Sequence, residues 1–96
     1  MTPNVELCPP DVQRSLTDYI LRGVPLGDFL QEVVADRLVA SFMRADRNNL
    51  EAMPHIVAWV YTYMPMQLRG ETNYLNHIEE KQRSRHDAQA YNDHHG

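Results

Sequence analysis

The chain has 96 residues, a net charge of −4, 43% hydrophobic and 23% charged side chains, and one cysteine. That size holds a single core of modest stability, and the acidic balance argues against nucleic-acid binding by phosphate neutralisation. No run approaches the roughly 18 apolar residues of a membrane span, and the lone Cys8 permits no internal disulfide.

The start, MTPNVELCPP, lacks the basic and then apolar pattern of a secretory signal. The expected location is therefore the reducing cytoplasm. Residues 1–10 read as an N-terminal arm, and Cys8 as an arm residue rather than a nucleophile. Asp11 is the expected N-cap of a first helix, on which Val12, Leu16, Tyr19 and Ile20 form one apolar stripe. Gly23 suits the residue after the helix, where positive φ is needed. Pro25 then fixes a tight turn.

A second helix is expected from Asp28, burying Phe29, Leu30, Val33 and Val34. The apolar phase shifts at Ala35-Asp36, where we expect a break with Asp36 as the next cap. Leu38, Val39, Phe42 and Met43 form the following stripe. Asp46 caps a central helix over residues 50–64, with Leu50, Met53, Val57, Val60, Tyr61 and Met64 as its seam. Ile56, Trp59 and Tyr63 lie off that seam, which leaves the helix apolar on most sides. Trp59 and Tyr63 are thus candidates for a subunit interface. Pro65 ends the helix.

A last helix should begin near Glu71 and turn Tyr74, Leu75 and Ile78 inward. Residues 79–96 carry no apolar seam and are expected to fray or be disordered. The expected fold is all-α, a compact bundle of four to five short helices around the central apolar helix, with residues 11–78 as the helical domain.

Few residues assemble into chemistry. Five histidines are present, but no HxxxH pair. His94 and His95 beside Asp93 could bind a transition metal only as an incidental tail property. There is no GxSxG elbow, P-loop or GxGxxG. We therefore expect neither an enzyme nor a cofactor or metal.

The polar joint Arg44, Asp46, Arg47, Asn48 and Asn49 stands out between two apolar segments. On a continuous helix Arg44, Arg47 and Glu51 would share one side. The bland reading is a capped helix boundary; the functional one is a patch for an acidic or phosphate-bearing partner. Eight arginines against one lysine favour such planar forks.

Gly23-Val24-Pro25-Leu26-Gly27-Asp28-Phe29-Leu30, Asp36-Arg37-Leu38, Arg44-Ala45-Asp46 with Asn49, then Ile56-Val57 and Tyr61 ahead of Pro65 together resemble a family of small bacteriophage and prophage accessory proteins. Its pattern is G-[IV]-P-x-G-D-F-L, an N-D-L step, R-A-D-x-x-N and Y-N-x-x-P. The resemblance covers residues 19–70 and departs from the family at Ala35, Thr62 and Met66 to Arg69. It carries no site residue across. It implies a phage genome context, where small acidic helical proteins often bind and block a host factor.

The leading expectation is accordingly a non-enzymatic accessory protein that binds a host protein, with inhibition of a defence system as its role. A homo-oligomer that sequesters a nucleotide between subunits is the alternative. A DNA-contacting regulator using the basic KQRSRH stretch is the second alternative, disfavoured by charge.

Overall fold

A computed structural model describes the backbone of residues 3–95 and the side chains of residues 3–84. Among the described residues there are five α-helices and no strand, so the fold is all-α. The helices are α1 (Pro10–Arg22), α2 (Asp28–Val34), α3 (Leu38–Arg44), α4 (Arg47–Tyr63) and α5 (Glu71–His95), with 3-10 turns at Val5–Leu7 and Met66–Leu68.

α1 begins one residue before the expected cap. Proline fits the first helical position because its missing N–H is not needed there, so Pro10 opens the helix, Pro9 flanks it and Asp11 sits in the first turn. Val12, Leu16 and Tyr19 are buried as their spacing requires. Gly23 closes α1 at φ 65°, its N–H donating to the Tyr19 carbonyl at 2.9 Å.

The break after α2 is present, but Asp36 does not cap α3. It takes φ 62° itself and ends α2 in the role usually given to glycine. Its N–H donates to the Val33 carbonyl at 3.2 Å, and the Arg37 N–H donates to the Glu32 carbonyl at 2.9 Å. That pair of bonds is a Schellman closure, and aspartate tolerates the left-handed region better than most residues.

α3 is turned opposite to expectation. Leu38, Val39, Phe42 and Met43 all face solvent, Val39 and Met43 being 79% and 82% exposed, and the one buried residue is Ser41. Ser41 donates its hydroxyl to the Leu38 carbonyl at 2.6 Å and so enters the packed side without an unpaired polar atom.

α4 is the central helix. Asp46 caps it, accepting from the Asn49 N–H at 2.8 Å. Its buried face comprises Ala52, Met53, His55, Ile56, Trp59 and Val60, rotated from the expected seam, and Leu50 and Tyr61 are exposed. Pro54 lies inside the helix, so the Leu50 carbonyl has no i+4 N–H to accept from.

A polar clasp pins α5 to α1 and the turn before α2. The Tyr19 hydroxyl donates to the Leu68 carbonyl at 2.7 Å, and the Tyr74 hydroxyl accepts from the Leu26 N–H at 3.0 Å. His77 Nε2 lies 2.8 and 3.1 Å from the Tyr19 and Ile20 carbonyl oxygens, so that nitrogen carries the proton. The Tyr19 ring stands 5.2 Å from Tyr74 and 4.9 Å from His77. The inward residues of α5 are therefore Tyr74 and His77, with Ile78 packed beside the core; Leu75, expected inward, is exposed.

At the other end of the chain, Cys8 is buried in the core, and the Val5–Leu7 turn packs on α4. His55 Nδ1 accepts from the Asn4 N–H at 3.1 Å. The backbone of α5 is helical to His95, while the side chains of residues 85–96, which carry most of the tail and His94-His95, lie outside the described residues. No helix among the described residues is long and apolar enough to cross a membrane.

Candidate functional site at the α3–α4 joint

The joint is organised by a residue that its local sequence does not advertise. Glu32, in the middle of the apolar run of α2, is 8% exposed. Arg37, preceding α3, reaches it at 3.7 Å, and Arg44, ending α3, reaches it at 3.4 Å. The two arginines bracket α3 and close on one carboxylate beneath it. A buried carboxylate is costly without compensating charge, so this cluster fixes which side of α3 faces inward. Arg37 also pairs with Glu71 of α5, and that hydrogen bond, foremost, raises its pKa further. Arg44 lies 3.6 Å from Asp28 as well.

Ala45 and Asp46 leave the helical path between α3 and α4, so Arg44, Arg47 and Glu51 do not share one helix face. The five joint residues divide by role. Arg44 anchors α3, and Asp46 is spent on the cap. Asn49 donates its backbone N–H to that cap, and it lines a cleft of about 280 Å³ with Asp11, Val12, Ser15, Gly27, Asp28, Phe29 and Leu30. Arg47 and Asn48 are exposed in the first turn of α4, and no ion pair or side-chain hydrogen bond engages them among the described residues.

The Trp59 and Tyr63 rings meet at 5.2 Å, tilted by 54°, but they stand differently toward solvent. Trp59 is 8% exposed and belongs to the core, while Tyr63 is exposed. With Val5, Glu6 and Gln13 they line a separate pocket of about 220 Å³, whose lining contains no arginine. The joint and the aromatic pair are thus not brought together within one chain.

Cys8 is a poor nucleophile here. Burial, and then the Asp11 carboxylate, push its thiol up to about 11, so almost none is thiolate near neutrality. Among the described residues no group of three or more His, Cys, Asp or Glu converges to hold a metal.

Sequence reasoning missed two features: Glu32, and the outward apolar face of α3. The only local hint of the first is an acid inside FLQEVV. Spacing alone gives no hint of the second.

The fold and joint define a small all-α protein with an ordered polar helix start beside a cleft. No family model, curated protein or solved structure matches the chain.

Proposed function

We propose that the protein is a non-enzymatic binding protein that docks a host protein through the α3–α4 joint and blocks it, in the manner of a phage accessory factor acting in the host cytoplasm against a defence system. One observation carries this reading. Arg47 and Asn48 stand uncommitted on the first turn of a helix held by the Asp46 cap, next to the cleft that Asn49 shares with Asp11, Ser15 and Asp28. A guanidinium fork and an amide on a rigid element recognise carboxylates and backbone groups at little entropic cost. The resemblance over residues 19–70 supplies the phage context.

The test is affinity capture from host lysate with the wild-type chain and with Arg47→Ala/Asn48→Ala. One host protein should be retained in equimolar amount by the wild type and lost, or weakened ~10-fold or more, by the variant at unchanged helical content. Equal capture by both would remove the joint from the site. Capture of nothing would remove the docking function.

A further inference from the structure

We infer that the outward face of α3 is the contact surface of a homodimer, packed antiparallel against α3 of a second copy. The exposure of Leu38, Val39, Phe42 and Met43 has no counterpart in a helix that serves only its own core. The patch continues onto α4. Leu38 shares a hollow of about 120 Å³ with Val33, Asp36, Val57 and Tyr61. Leu50 and Tyr61, both exposed, lie eleven residues apart along the same line of α4.

Area favours a second copy as the occupant. The six residues are 43–82% exposed, with Arg69 lying over the Tyr61 ring at 4.3 Å. Backbone and polar atoms included, they leave on the order of 700 Å² of surface, at or above the ~300–600 Å² patch of an ordinary monomer. It is close to the ~800 Å² that each partner contributes to a standard interface.

Charge favours it as well. A chain of net charge −4 meets its copies at least cost through a face of low charge. Residues 38–43 contain no charged side chain, and Asp36 is the one carboxylate lining the adjoining hollow. Asp36, which accepts from the Tyr61 hydroxyl at 3.4 Å, precedes α3. Arg44, half exposed although it contacts Glu32 and Asp28, follows it, while Arg37 is met by Glu32 and Glu71. α3 is only about 10 Å long, so both ends fall within one contact. Antiparallel packing across a twofold axis then sets Asp36 of each copy beside Arg44 of the other. The hollow receives an apolar side chain from the opposite helix.

This face adjoins the C-terminal end of α2, and the cleft at the joint adjoins its N-terminal end. The dimer does not rest on the docking function.

Sedimentation equilibrium of the full chain across the micromolar range tests the inference. The wild type should approach twice the 11.2 kDa chain mass. Val39→Glu and Met43→Glu should each raise the dissociation constant ~10-fold or more at unchanged circular dichroism. Tyr63→Glu, on the aromatic pocket, should leave the dimer intact. A wild type that stays monomeric throughout overturns the inference. So does a dimer that survives both α3 variants, or one that Tyr63→Glu alone dissolves.

Discussion

Arg44 reaches back from the last turn of α3 to the buried carboxylate of Glu32, its Nε lying 3.4 Å from Oε1. Arg44 and its neighbour Arg47 therefore have separate fates, although the sequence presents them as a pair. Arg44→Ala should cost about 1–2 kcal/mol, because Glu32 stays buried with less compensation and Arg44 itself is half exposed. Arg47→Ala should cost less than about 0.5 kcal/mol. Urea denaturation of both variants gives the comparison. Glu32→Gln, combined with Arg44→Ala in a double-mutant cycle, should return a positive coupling.

Gly23 should not accept a side chain. It sits at φ 65°, and a Cβ there would stand 2.6 Å from Lys81 Cβ on α5. Gly23→Ala should therefore lose about 1–3 kcal/mol, combining left-handed strain with displacement of α5 from α1. Thermal melting measures the loss. Near-ultraviolet dichroism from the Tyr19–Tyr74 contact should weaken with it.

His55 holds the N-terminal segment by accepting from the Asn4 N–H at 3.1 Å. His55→Ala should release the Val5–Leu7 turn and cost about 1–2 kcal/mol. Limited proteolysis should then cut ahead of Pro9 faster than in the wild type, with the fragment that begins near α1 resisting further cleavage.

Alkaline pH should loosen the fold. Burial, aided by the Asp11 carboxylate, raises the Cys8 thiol from 9.0 to about 11. Burial, with Tyr74 adding to it, raises the Tyr19 hydroxyl in the same direction. Both groups hold their protons more tightly when folded. The Cys8 contribution to stability is thus complete below pH 9 and falls away as the pH rises toward 11, while the Tyr19 contribution begins to fall only above that hydroxyl's ordinary value of 10. Melting temperatures across that interval should decline in the wild type and decline less steeply in Cys8→Ala.

Much of this architecture is legible in local chemistry. The α1 stripe of Val12, Leu16 and Tyr19, the Gly23 stop, the Asp28 start, the break at Ala35-Asp36 and the Asp46 cap each obey rules spanning a few residues. Local patterns do not fix which side of an almost wholly apolar helix turns inward. On α4, Ile56, Trp59 and Val60 compete with Val57 and Tyr61 on equal terms. The choice falls to the shared core, which residues distant in sequence such as Tyr19 and Val34 help to build. On α3, LVASFM offers apolar atoms almost all round, and the deciding partner is Glu32, two turns back on another helix. The joint is visible as a polar interruption, and Asp46 as its cap. The division of labour between Arg44 and Arg47 is not, because it too depends on Glu32.

α3 lies on the bundle with Ser41 inward and its apolar stripe outward, and matched melts of Ser41→Glu and Met43→Glu test that orientation most directly. Measured at high dilution, where association adds nothing, Met43→Glu should melt within a degree or two of the wild type, and Ser41→Glu should lose several kcal/mol or fail to fold. A tolerated Ser41→Glu beside a severely destabilised Met43→Glu would mean that α3 buries its apolar side after all, and that the molecule has no exposed apolar face there.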